Sequence, residues 1–281
     1  MRPTQHLADV VHHSGSGNAT TAIREVLARG VFVLEERKRE KRIAEKGTDQ
    51  KLNPYISDAG KCIRAVTYSL MNVEESEPFT VDSLVNFLVG HSVEDAFAAI
   101  LEAAGATVLR EERASLKAGN TIITGRKDFS GVQIRWSHKI AELLGAQALE
   151  IPDGSTVELK ATNSRAIAFL LKRGDGRDEH KAQLNLYLKA DDETIGFLVY
   201  VVKDATKGEP IAHAWAVEYD DVKASDNLHV LAFADELAKR GELPSIPDGM
   251  KQGAFPCTYC NYRTRCWLEA SIETQRAEAT S

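Results

Sequence analysis

Two rhythms of apolar residues alternate along the chain and set out its elements. Ile23, Val26 and Leu27 recur at helical intervals in a segment that begins near Asn18 or Thr20 and runs to Lys46. A second helix is predicted from Thr80 or Val81 to Ala104, where Leu84, Phe87, Leu88, Val93, Phe97, Ile100 and Leu101 form a stripe. Between them, the run from Ser57 to Tyr68 reads as the start of a further helix, with Ser57 or Asp58 able to cap free amides. Alternating or β-branched runs then predict strands over Ala106–Arg110, Thr121–Phe129 and Thr156–Thr162. Gly131–Asp153 reads as an insertion with a short helix through Ile140, Leu143 and Leu144. From Asn163 to Ala190 two helical pieces are parted by Gly174-Asp175-Gly176. Thr194–Val202 and Ile211–Tyr219 predict a hairpin turning at Lys207-Gly208, and a helix follows from Val222 to Lys239. Pro244 and Pro247 stiffen the link to a cysteine-rich end, and the residues past Ala270 are polar enough to fray. This order predicts an α/β fold, a mixed central sheet flanked by helices on both sides.

Composition narrows the class. The chain has 281 residues, 43% hydrophobic and 27% charged, enough for a sizeable core and without the bias of a disordered or fibrous chain. Its longest apolar run, Phe197–Val202, is too short to span a bilayer, and Met1–Val10 lacks the apolar core of an export signal. The expectation is a soluble cytoplasmic protein with no membrane partner. A net charge of −6 excludes a chain that is basic all over, so any nucleic-acid footprint is local. Two stretches are basic: Arg37–Arg42, which reads as a solvated helix face ahead of a DNA contact, and Arg165, Lys172, Arg173, Arg177 and Lys181.

The candidate chemistry begins at Glu158 and Lys160. In a strand they share one face about 6.6 Å apart, while Leu159 points to the opposite layer. A carboxylate that can hold a divalent cation beside an amine that can position water is the layout of a metal-dependent hydrolytic site. Alone, it is more often an amphipathic edge strand. Asp128, after Gly125 at the end of an apolar run, is a turn former or a metal ligand. His91 is a core-edge residue or a ligand, and Gln183 and Tyr187 share one helix face at i, i+4. Cys257, Cys260 and Cys266 form C-x2-C-x5-C, and Cys62 is the one cysteine left to complete a set of four. A cluster of three thiolates plus a distant fourth favours an iron–sulfur cubane over zinc, with unligated thiols as the plain alternative.

Taken in order, Gly90-His91, Gly125-x-x-Asp128, Glu158-x-Lys160, Gln183-x-x-x-Tyr187 and Cys62-x-Arg64-x-x-x-Tyr68 with the terminal cysteines resemble the PD-(D/E)XK nuclease superfamily. Within it, they resemble RecB-like exonucleases that carry an iron–sulfur cluster, the Cas-four nucleases and the AddB nuclease domain among them. The resemblance covers about residues 55–267. It implies a restriction-endonuclease-like core at 81–240, a helical region at 1–80 contributing one cluster cysteine, and a cysteine-rich segment at 241–281. It implies Asp128, Glu158 and His91 as ligands of Mg²⁺ or Mn²⁺, with the Leu159 carbonyl as a further oxygen. Lys160 would activate water, and Gln183 and Tyr187 would hold the DNA backbone or the lysine in register. Cys62, Cys257, Cys260 and Cys266 would bind a [4Fe-4S] cluster that staples the helical region to the carboxyl end. The activity implied is exonucleolytic cleavage of DNA, single-stranded or with free ends, in recombination, repair or end processing, by an intracellular protein, with a viral origin also compatible. Rival readings are a non-cutting DNA-binding adaptor and a zinc-stapled endonuclease. A homo-oligomer or a recombination partner is compatible with the resemblance. The long Asp128–Glu158 separation and Phe129 after Asp128 depart from the family pattern, and no Walker-type loop supplies a motor.

Overall fold

The structure is a computed structural model that describes residues 19–48, 50–103, 105–134 and 154–280. The elements are α1 (Ala19–Lys46), α2 (Ile63–Leu70), α3 (Val81–Ala103), β1 (Ala106–Arg110), β2 (Arg113–Ala118), β3 (Thr121–Arg126), β4 (Phe129–Ile134) and β5 (Ser155–Thr162). They continue with α4 (Ser164–Arg173), α5 (Asp178–Asp191), β6 (Ile195–Val202), β7 (Ala212–Glu218), α6 (Asp221–Arg240) and α7 (Arg263–Thr280). Short 3-10 turns lie at Ile56–Asp58 and Cys257–Tyr259.

Two compact units divide the chain. The smaller comprises Met1–Gln50 with Pro78–Val89. In it Ala28 and Val31 of α1 are buried, and Phe79 meets Phe87 edge-on at 4.9 Å. Three of the five cations in the basic run of α1 pair along their own helix, Lys38 with Glu35, Arg39 with Glu36 and Lys41 with Glu45, the behaviour of a solvated face.

The larger unit comprises Lys51–Glu77 and Gly90–Ser281, so the Cys62 segment and the cysteine-rich end belong with the sheet. The mixed central sheet has the order β1-β4-β5-β6-β7. Among the described strands of this sheet, β5 and β6 alone run parallel, joined across α4 and α5 as a parallel pair requires. Because side chains alternate, Val157 and Leu159 face a layer made by Val93, Phe97 and Ala98 of α3 together with Phe129, Val132 and Val199. On the other face, Leu198, Tyr200 and Val202 meet Ile167 and Leu170 of α4 and Leu184 and Leu188 of α5. A third cluster joins α2, the β2–β3 hairpin, α5 and α6 through Val66, Ile123, Leu186, Tyr187, Leu228 and Leu231.

Several expectations shift. Thr121–Phe129 is not one strand: β3 ends at Arg126 and β4 starts at Phe129, so Lys127 and Asp128 form a corner, and β2 is an added strand that its polar alternation concealed. The expected Ser57–Tyr68 helix begins only at Ile63, because Asp58 accepts a bond from the Tyr55 amide at 2.8 Å and closes the preceding 3-10 turn. The last helix continues to Thr280 instead of stopping near Ala270. The insertion at Gly131–Asp153 contributes β4 at its start, and its expected helix through Ile140, Leu143 and Leu144 lies outside the described residues. α3 is long and apolar enough by length and composition to cross a bilayer, which a search for unbroken apolar runs misses. Val93, Phe97 and Ala98 pack on the sheet layer, but Ala98 alone is fully buried, and Phe87, Val89 and Ile100 are exposed.

Candidate active site

Each candidate side chain is placed by its element. β5 is buried over most of its length and carries Glu158 and Lys160 on the face covered by α5. Glu158 is 0% exposed. Its Oε1 accepts a bond from Lys160 Nζ, which also donates to Gln183 Oε1 at 3.3 Å. Asp128, at the β3–β4 corner, turns Oδ2 to the amide of Leu159 at 2.8 Å, pinning the corner to β5 between the two catalytic candidates. Leu159 otherwise packs in the apolar layer.

Tyr187 and Gly125 explain each other. The Tyr187 hydroxyl donates to the Arg126 carbonyl at 2.7 Å, holding α5 to the strand that leads into Asp128. A Cβ on Gly125 would sit 2.9 Å from Tyr187 Cε1 and from Ile56 Cβ, closer than carbon atoms tolerate, so only glycine lets the ring lie across the strand. Gln183, one turn earlier, is buried and lies between Lys160 and Tyr187.

The electrostatics are those of a carboxylate cluster built round one fully buried member, Glu158, with Asp128, Glu94 and Lys160 partly exposed. Burial pushes the Glu158 carboxyl up to about 8, opposed by Lys160 and reinforced by Asp128 and Glu94. Asp128 is raised by burial against the pull of Lys160 and the Leu159 amide. Glu94 is raised by burial and by Asp128. Lys160 loses to burial but gains more from Glu158, Asp128 and Glu94, so its ammonium is held above the ordinary lysine range. Three carboxyls thus share one cation. Glu158 Oε2 is buried with no hydrogen-bond partner. A buried acceptor left open costs about 1–3 kcal/mol, which fits an oxygen meant for a ligand.

His91 stands at the margin. Its side chain is mostly exposed, with Nδ1 3.6 Å from Glu94 Oε2, and it reaches Asp128 only as a charge at a distance. Glu94 is the group that sequence reasoning passed over, although its place three residues after His91 puts both on one helix face. His180 was missed too. Its Nδ1 lies 2.8 Å from the Tyr200 hydroxyl, and burial with Lys160 nearby lowers it to about 3, a neutral imidazole. Among the described residues, no three His, Cys, Asp or Glu groups close on a common point. The nearest oxygen donors are Glu158 Oε2, Asp128 and Glu94, with His91 beside them, and as described they do not converge on one ion position.

The basic stretch after β5 is largely self-neutralised, contrary to expectation. Arg173 pairs with Asp178, Arg177 with Glu179, and Lys181 with Asp175 and Asp178. Acids interleaved at helical spacing cancel what a count of lysines and arginines suggests.

The cysteines come from three places in one unit. Cys62 is the residue before α2, Cys257 opens a 3-10 turn, Cys260 caps it, and Cys266 lies in the first turns of α7. All four are half-buried. Cys260 is raised by burial, by Cys62 and by Cys257. Burial raises Cys266 to about 11 despite Arg64, with Cys62, Cys260 and Cys257 adding to the rise. The two ends meet through side chains as well. Tyr68 stacks on Tyr262 at 5.1 Å and donates to Glu269 Oε2 at 2.5 Å, and Arg64 Nη1 donates to the Pro244 carbonyl at 2.7 Å. The Glu77 amide bonds the Asn261 carbonyl at 2.9 Å. Cys62 and Cys257 thus act on both Cys260 and Cys266, although among the described residues the four thiols do not close into a metal-holding group.

Fold and site together define an α/β protein with three carboxyls, of which Glu158 is fully buried, coupled to one lysine on a mixed sheet. No family model matches the chain, and no curated protein matches its sequence. Among solved structures, the protein SSO0001 aligns at TM-score 0.50 and 17% identity, covering 83% of this chain and 95% of that one, a likeness of fold. The alkaline exonuclease LHK-Exo from Laribacter hongkongensis aligns at 0.43 and 13% identity over 67% of this chain and 92% of that one. A phage-related exonuclease from Haemophilus somnus 129PT aligns at 0.31 and 11% over 84% and 94%.

Proposed function

We propose that the chain is a divalent-metal-dependent deoxyribonuclease of the PD-(D/E)XK type, an exonuclease on DNA with single-stranded or free ends. The observation that carries this reading is Glu158 Oε2, a fully buried carboxyl oxygen with no partner, on a side chain coupled by charge to Asp128, Glu94 and a charged Lys160. A structural carboxylate at such a depth satisfies both oxygens. One left open is poised for a cation, and Asp128 and Glu94 supply further oxygens of the hard type that Mg²⁺ and Mn²⁺ take. Bound there, such an ion supplies Lewis acidity to a phosphate and lowers the pKa of water.

The protein's own groups do the rest. Lys160 orients the attacking water and offsets charge on the phosphate in the transition state. Gln183 holds Lys160, Tyr187 holds the Arg126 carbonyl, and the Leu159 amide holds Asp128. The cysteine set binds a [4Fe-4S] cluster in this reading, stapling the Cys62 segment to α7 where the Tyr68–Tyr262 stack already brings them together. End-labelled single-stranded, duplex and circular DNA incubated with Mg²⁺ or Mn²⁺ tests the reading. Cleavage that needs the metal and a free end supports it. No cleavage of any substrate with either ion ends it.

A further inference from the structure

Helix α4 is where the basic stretch stops cancelling itself. Its inner residues, Ile167 and Leu170, are buried against Leu198, Tyr200 and Val202. Its outer face carries Arg165, Phe169 and Lys172 at i, i+4 and i+7, all exposed, with the Phe169 ring 67% accessible. Among the described residues, neither Arg165 nor Lys172 has a carboxylate partner, whereas Arg173, Arg177 and Lys181 each do. A phenylalanine flanked by two uncompensated cations is unusual on a chain whose net charge is −6.

The position of this face gives it meaning. In the parallel register, Glu158 pairs with Leu198 and Lys160 with Tyr200, so the catalytic candidates point to the side of the sheet on which α4 packs. α4 follows β5 after Asn163 alone, at the carboxyl end of the strand, where open α/β sheets receive ligands. The β6–β7 turn is stitched to the first turn of α4: the Ser164 amide donates to Asp204 Oδ1 at 2.6 Å and its hydroxyl to Oδ2 at 3.0 Å. That bond places the exposed Lys203 in the same region.

We propose that the outer face of α4 is a rest for single-stranded DNA, with a base stacked on Phe169 and phosphates on Arg165 and Lys172. The proposal rests on the nuclease reading and names the form of its substrate. Charge complementarity selects a polyanion, and the aromatic selects one whose bases are unpaired, because a duplex offers no base face to a ring on a helix. Seven helical steps separate Arg165 from Lys172, about 10.5 Å along the axis, a span that two phosphates of one extended strand can bridge.

The test is fluorescence anisotropy of a labelled oligo-dT 20-mer and of a blunt duplex, with Ca²⁺ in place of Mg²⁺, for the full chain and three variants. Phe169→Ala should weaken single-strand binding by about fivefold or more, and Phe169→Trp should restore it. Arg165→Gln combined with Lys172→Gln should lower the slope of log Kd against log salt by about 1.4, two single-strand phosphate contacts. Duplex binding should change less than single-strand binding in Phe169→Ala. Variants that bind oligo-dT as the unaltered chain does, with its full salt slope, overturn the proposal. If they do so while DNA is still cut, the surface falls and the nuclease reading stands. If single-strand binding is lost in the variants but the unaltered chain cuts nothing, the surface stands and the nuclease reading falls.

Discussion

Replacing Glu158 by glutamine should make the metal-free protein more stable, by an amount that grows with pH. Glu158 is fully buried and its carboxyl is raised from 4.5 to about 8. A folded pKa above the unfolded one means that stability is complete below about 4.5 and declines as pH rises toward 8, since the unfolded chain gives up its proton first. At 1.36 kcal/mol per pKa unit, the difference costs under about 1 kcal/mol at pH 5 and about 3 kcal/mol at pH 7. Glutamine keeps the shape and an oxygen for Lys160 Nζ but does not titrate. In the unaltered chain Lys160 stays charged across this range, because Glu158, Asp128 and Glu94 outweigh its burial, and in the variant Asp128 and Glu94 remain to oppose that burial. Urea denaturation in EDTA at pH 5, 6, 7 and 8, on both proteins, reads the effect as a difference in which other titrations cancel. The gap should widen by about 2 kcal/mol between pH 5 and 7. Parallel curves would refute the claim that Glu158 is a desolvated acid waiting for a cation.

Further outcomes follow from the same geometry. Mn²⁺ affinity, read by calorimetry, should rise about tenfold per pH unit below about 8 with about one proton released, because Glu158 must ionise to bind; a pH-independent affinity would place the ion elsewhere. Lys160→Ala should lower DNA cleavage by about 100- to 1000-fold or more with the far-UV spectrum intact, because Glu158 can take up a proton in its place; retained cleavage discredits the site. Gly125→Ala should cost about 1–3 kcal/mol in thermal or urea unfolding through contact with Ile56 and Tyr187, and should reduce cleavage as the Tyr187–Arg126 bond loosens; an unchanged midpoint would show that the contact relaxes freely. Cys62→Ser or Cys257→Ser should lose iron and solubility together in anaerobic preparations, and full iron in either removes that residue from the ligand set.

Most of the architecture was legible because its elements obey simple periods. The stripe of α3, the glycines between α4 and α5 and the β6–β7 hairpin gave boundaries within a few residues of those observed. What failed has physical causes. β2 reads as polar, since only one side of a two-stranded hairpin packs on α5 and α6, and the Lys127-Asp128 corner is invisible to a strand pattern that continues through it. At the site, Glu158 and Lys160 share a strand face and bond each other, Asp128, marked by the resemblance, bonds the Leu159 amide between them, and of the i, i+4 pair Gln183 accepts from Lys160 while Tyr187 bonds the Arg126 carbonyl. His91 was marked where Glu94 is the better placed group. A histidine draws notice in a sequence, whereas a glutamate on a helix is ordinary until burial and neighbouring carboxyls make it costly.

That cost is the thread joining stability to the proposed chemistry. A chain that packs Tyr187 against a bare glycine, buries Glu158 with one oxygen open and gathers three carboxyls about one lysine has accepted strain at a single place. Such departures from packing rules persist where a function needs them. The supports lie outside the pocket: the Leu159 amide on Asp128, the Tyr187 hydroxyl on β3, and the Tyr68–Tyr262 stack that ties α2 to α7. They hold the carboxyls together against mutual repulsion before any cation arrives, so binding an ion need not organise the site, only discharge it. The same cation that Glu158→Gln makes unnecessary for stability is the one that Glu158→Gln can no longer hold. Mn²⁺ should therefore stabilise the unaltered chain against urea and leave the variant where it was.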